Sequence, residues 1–154
     1  MKTLTIVSII ILLLFFAKNL FSVDAEKNYT LIKKLDKIEI RKYKSSIYAS
    51  FIPKNEKERN SSFRKVASFI FGDNTNNEKI SMTSPVVIKI HNDYEMAFIM
   101  PKKYNLENLP KPGNKEINIY TQPGTLKACI SYSGYTNKAV ENKKINELKN
   151  ILLK

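Results

Sequence analysis

The feature that most constrains this chain is an internal echo. Ile38, Ile40, Ile47, Ala49 and Phe51 recur 79 positions further on, without a gap, as Ile117, Ile119, Leu126, Ala128 and Ile130. In both copies apolar and polar residues alternate, the period at which successive side chains leave opposite faces of a strand. The first copy spans Ile38 to Tyr43 and Ile47 to Phe51, as one long strand or two joined at Lys44 to Ser46. A helix follows each copy. Beyond the first, Pro53 to Arg59 reads as a charged loop and Asn60 as an N-cap. Phe63, Val66, Ala67 and Ile70 then share one helical face that stops at Gly72. Beyond the second, Thr136 or Asn137 caps a helix with Ile145, Leu148 and Leu152 on one face. Strand-then-helix thus occurs twice, with the same inward positions.

The remaining segments fill in between. Asn28 to Leu35 reads as a short approach segment. Ile80 to Ile90 and Tyr94 to Met100 read as two strands joined by a tight connection at His91-Asn92-Asp93. Pro110 and Pro112 argue against a regular element between Pro101 and Asn114. The second copy stops at Lys154, still inside its helix, with no counterpart to the hairpin of the first. Unpaired sheet edges are a liability that proteins normally cover, so we expect the second half to be truncated.

Residues 1–25 have the layout of a secretory leader: Lys2 at the start, an apolar run from Leu4 to Ala17, and Val23-Asp24-Ala25 as a small-x-small cleavage site. The apolar run is shorter than the ~20 residues that span a bilayer, and Lys18 and Asn19 interrupt it, so cleavage is expected rather than anchoring. Residues 26–154 then form one domain, secreted or periplasmic. The formal charge of the whole chain is +12, and the part after the leader remains strongly basic. Such a charge attracts anionic lipid, polyanions or acidic small molecules, but no zinc, Arg-Gly or base-stacking motif directs it toward a specific nucleic acid.

Catalytic chemistry finds little purchase. There is one His and one Cys, Cys129, which rules out an intrachain disulfide. No Ser/His/Asp or Cys/His set, paired carboxylates, metal-ligand cluster or Gly-rich phosphate loop is apparent, and the protein is expected not to be an enzyme. Alternation between Ala128 and Ile130 points Cys129 outward. Asn28-Tyr29-Thr30 and Asn60-Ser61-Ser62 match the N-glycosylation pattern, which matters only on a eukaryotic secretory route.

One block has no purely structural excuse. Lys79 to Val86 reads Lys-Ile-Ser-Met-Thr-Ser-Pro-Val, fixing Met82, the hydroxyl pair Thr83 and Ser84, and Pro85 ahead of a β-branched run. Met82 is assigned to packing. Together with Ile38-Glu39-Ile40-Arg41-Lys42-Tyr43, Tyr132-Ser133-Gly134-Tyr135, Met100-Pro101, Tyr104 and Leu109-Pro110-Lys111-Pro112, the block resembles the SOUL haem-binding family. The likeness runs from about Tyr29 to Lys154.

The resemblance implies an α+β fold, a distorted antiparallel β-barrel built from two pseudo-symmetric halves, each with one helix, which agrees with the duplicated strand-then-helix pattern. It also implies a non-enzymatic protein that holds haem or a related tetrapyrrole, without a covalent bond, in a shallow apolar groove along the first helix. The groove positions of relatives fall on Phe63 and Ala67. Phe63 can stack on a porphyrin face, and Arg64 or Lys65 can pair with its propionates. The same apolar stripe, Phe63, Val66, Ala67 and Ile70, also reads simply as core. Where some relatives have an axial His, this chain has Lys42, and His91 lies far off in the turn. Porphyrin binding with weak axial ligation or none is therefore implied. The resulting function is a secreted tetrapyrrole carrier, buffer or scavenger. The alternative is a basic interaction module on anionic lipid or polyanion, its pocket vestigial.

Overall fold

The computed structural model describes residues 28–90 and 94–153; the leader and His91 lie outside them. Seven strands and two helices follow in the order β1 (Tyr29–Leu35), β2 (Ile38–Tyr43), β3 (Ser46–Phe51), α1 (Glu56–Ile70), β4 (Val86–Lys89), β5 (Glu95–Ile99), β6 (Asn118–Gln122), β7 (Thr125–Ile130) and α2 (Lys138–Leu152). All pairing is antiparallel. One sheet has the order β1-β2-β7 and the other β4-β5-β3-β6. The architecture is α+β, as the resemblance implies.

The expected barrel does not close. Two chain corners mark the boundary between the sheets: β2 passes into β3 at Lys44-Ser45, and β6 into β7 at Pro123-Gly124. Each long strand is thereby split between the two sheets. The pairing itself runs through the corner in one register, from Ile38↔Ile130 to Tyr43↔Thr125 and on from Ser46↔Gln122 to Ser50↔Asn118. β1 and β7 remain the edges of the first sheet, and β4 and β6 those of the second.

Asn28 to Leu35 is a full strand rather than an approach segment. Asp36, at φ 49°, and Lys37 turn the chain so that β1 pairs with β2, with a bulge between Leu31 and Lys33. Asp tolerates that left-handed conformation, and an Asp-containing two-residue connection was the available signal.

Helix α1 starts earlier than expected, within the segment read as a charged loop. Asn55, not Asn60, is the N-cap: its side chain accepts from the Glu58 N–H at 3.0 Å, while Glu58 accepts from the Lys54 N–H at 2.8 Å. Glu56 and Glu58 in the first turn also suit the positive end of the helix dipole. Gly72, at φ 118°, ends the helix, and the Asp73 N–H reaches back to the Ser68 carbonyl at 3.0 Å. α2 is capped by Asn137, one of the two residues expected.

The strand expected over Ile80 to Ile90 is real only from Val86 to Lys89. Pro85 has no N–H for a ladder and follows a cis peptide bond. Upstream of it the backbone bonds elsewhere: the Ile80 N–H donates to the Ile70 carbonyl at 2.8 Å, and the Thr83 hydroxyl donates to the Ile99 carbonyl. Buried Asn74 organises the turn between, donating to the carbonyls of Phe69 and Glu78 and accepting from the N–H groups of Asn76 and Glu78. Met82, assigned to packing, is instead half exposed.

The core lies between α1 and the second sheet. Val66, Ala67, Phe69 and Ile70 pack on Ala49, Phe51, Met96 and Phe98, and Ile80, Met100, Leu109 and Ile117 close the ends. Strand β3, paired along both edges, is also buried on both faces, Tyr48 and Ser50 as well as Ala49 and Phe51. Of the expected inward positions, Leu126 is the exception at 61% exposed. It lies opposite Lys42 at the corner end of β7, and α2 has no fully buried residue.

Candidate functional site

Three of the residues singled out on α1 are spread across its outer side, and the fourth lies beneath. The ring of Phe63 sits 5.2 Å from that of Phe98 at a tilt of 57°, yet 46% of the residue is exposed. Strand alternation puts Val86 and Ile88 on the same sheet face as their partners Phe98 and Met96, and Ile88 is also exposed. Arg64 is exposed and makes no ion pair among the described residues. Lys65 is engaged: its ammonium meets Glu116 at 2.8 Å and lies 4.1 Å from the centroid of the Phe51 ring. That bond, with Lys54 adding to it, holds the Glu116 carboxyl below its ordinary range. Ala67 is buried in the core, where its small side chain lets the helix approach the sheet. Further along the same region Arg59 stacks over the Tyr94 ring at 4.3 Å.

The α1 face therefore offers an exposed aromatic ring on an apolar bed, flanked by guanidinium groups. A planar apolar ligand with acidic substituents suits this chemistry, the ring against Phe63 and an acid on Arg64.

A distinct concavity of about 400 Å³ opens where the strand corner meets the Lys79 to Val86 block. Its apolar floor is Ile47, Ile99, Met100 and Pro101, and Lys44, Lys102, Ser84 and Thr121 stand among its walls. None of the α1 residues lines it. Sequence reasoning missed this site, since Lys44 to Ser46 registered only as a joint and Thr83 and Ser84 only as part of a recognisable block. The concentration of small hydroxyl residues in both segments was the signal available.

Two polar clusters lie elsewhere on the sheets. Across β4 and β5 the Lys89 ammonium bonds Glu95 at 2.8 Å and the Tyr120 hydroxyl at 2.8 Å, and that hydroxyl donates to Glu95 at 2.9 Å. Burial alone would raise the Glu95 carboxyl, but the Lys89 ammonium and the hydroxyls of Ser50 and Tyr120 outweigh it and hold the group below its ordinary value. On the first sheet, Cys129 shares a face with Glu39, Arg41 and Tyr43, its sulfur 3.7 Å from the Tyr43 hydroxyl. Burial raises the Tyr43 phenol, although Arg41 bonds it. Among the described residues no group of three His, Cys, Asp or Glu is placed to hold a metal ion, and no helix is long and apolar enough to cross a membrane.

The family model described as SOUL heme-binding protein matches residues 25–154. A search of curated proteins finds no match.

Proposed function

The chain belongs to the SOUL heme-binding protein family, and on that premise we propose that it binds haem or a related tetrapyrrole on the outer face of α1. The observation that carries the reading is Phe63: a large aromatic ring, braced by Phe98, that leaves nearly half its surface to a ligand. Burying the rest of such a ring stabilises a complex by about 1–2 kcal/mol. Arg64 supplies a cation for a propionate, with Lys65 available if it exchanges Glu116 for the ligand. Ala67 serves the site from below, by keeping the helix close to the sheet. The bound group would contribute its apolar ring and its acids, and the protein's part is to cover one and pair the other.

The role fitted to this site is carriage, buffering or scavenging, with no catalytic step. The leader-like residues 1–25 support export, to a periplasmic or extracellular location. The unbroken register through the two corners and the 79-residue echo support two pseudo-symmetric halves.

The test is a haemin titration followed in the Soret band. A saturable shift with one haemin per chain is the expected result. A spectrum that stays that of free haemin up to tens of micromolar, the scale of ~7 kcal/mol binding, would defeat the reading.

A further inference from the structure

The block that most clearly marks the family, Lys79 to Val86, takes no part in the α1 face. Its hydroxyl pair instead lines the 400 Å³ concavity at the strand corner, and Thr83 is tied there to the Ile99 carbonyl. Cavities of this size belong to the range that holds small molecules.

The lining is chemically one-sided. Its floor is apolar, and its walls carry two ammonium groups, Lys44 and Lys102, but no carboxylate. The Lys44 side chain has no hydrogen bond or ion pair among the described residues; only its backbone N–H is used, donating to Asn28 at 3.1 Å. Other rim hydroxyls are occupied, Ser45 by the Gln122 carbonyl and Ser46 by the Asn28 amide, whereas those of Ser84 and Thr121 have no partner among the described residues. An apolar floor, a cation and unengaged hydroxyls together select an amphipathic acid, with its carboxylate at Lys44 and its hydrocarbon body over Ile47, Met100 and Pro101.

We propose that this concavity is a second ligand site, separate from the α1 face, which takes a small free amphipathic carboxylate. The probe is decanoate, titrated calorimetrically into the full chain below its micelle concentration. One saturable site is expected. Lys44→Glu, which replaces attraction with repulsion, should weaken binding about tenfold, and decanol, with a similar chain and no charge, should bind at least about tenfold more weakly than decanoate. Ser84→Trp should block the site by filling it. Lys44 is exposed, so its substitution should leave the circular dichroism spectrum unchanged, and that control separates lost binding from lost folding.

Several results would overturn the proposal. They are absence of saturable decanoate binding, equal affinity in Lys44→Glu, equal affinity for decanol, or binding only to anionic vesicles and not to free decanoate. A Phe63→Ala change that weakened decanoate as much as haemin would place the acid on α1 and equally defeat it. Haemin binding that survives Lys44→Glu and Ser84→Trp is expected, so the two sites can fail separately.

Discussion

Gly124 runs against Tyr43 so closely that a Cβ added to it would lie 2.9 Å from the Tyr43 carbonyl oxygen and 3.3 Å from the Ser45 nitrogen. This is the place where both long strands turn from one sheet to the other. Backbone presses on backbone, so no side chain can swing aside to make room. Gly124→Ala is expected to destabilise the fold by about 1–3 kcal/mol, measured by urea unfolding, because relief requires the corner itself to shift. An unchanged midpoint would mean that the two corners are not packed as described.

The cluster of Lys89, Glu95 and Tyr120 makes stability depend on acid. The folded-state carboxyl of Glu95 lies below its unfolded value. Its contribution is therefore fully present above the unfolded pKa, about 4.3, and is lost as pH falls through the folded value. Glu95→Gln should cost about 2 kcal/mol at pH 7, since it weakens charge-assisted bonds to a buried group. The gap between wild type and variant should narrow as unfolding is measured from pH 5 down to about pH 3. A gap that stays constant over that range would count against the pairing.

The start of α1 offers a direct comparison of two asparagines. Asn55→Ala removes the cap on the Glu58 N–H and should lower stability by about 1 kcal/mol. Asn60 lies exposed inside the helix, and Asn60→Ala should be neutral or stabilising by a few tenths of a kcal/mol. Thermal melts of the two variants check the order, and the reverse order would move the helix start back to Asn60.

Those two asparagines show what was legible in the sequence. The apolar spacing of Phe63, Val66, Ala67 and Ile70 reports which face of a helix is buried, and Gly72 reports where it ends. Neither reports where it begins, and Asn60 preceded the apolar stripe more closely than the true cap did. The Asn55-x-x-Glu58 pattern held the answer. Strand alternation located β2, β3, β6 and β7 because their inward positions repeat, and it missed β1, whose partner is set by the Asp36 turn. Alternation also placed Leu126 inward, although exposure there depends on where α2 lies, which is tertiary information. The residue types of Ile80 to Pro85 predict strand, but the segment forms none, and its hydrogen bonds go to Ile70 and Ile99 rather than to a ladder. On the candidate site, residue type alone could not separate Phe63 from Ala67. One faces outward and the other inward because the sheet lies under only one side of the helix. The concavity at Lys44 was illegible for a plainer reason: its walls come from five separate stretches of chain.

The most direct test of the central claim compares haemin affinity, from Soret titrations, in wild type and Phe63→Ala. Phe63 lies outside the buried core cluster, touching it at Phe98, so secondary structure should be preserved while the exposed half of the ring is lost as a contact surface. We predict that Phe63→Ala binds haemin about tenfold more weakly, the equivalent of ~1.4 kcal/mol, with its circular dichroism spectrum unchanged. Equal affinity in the two proteins would contradict the account and remove the α1 face as the tetrapyrrole site.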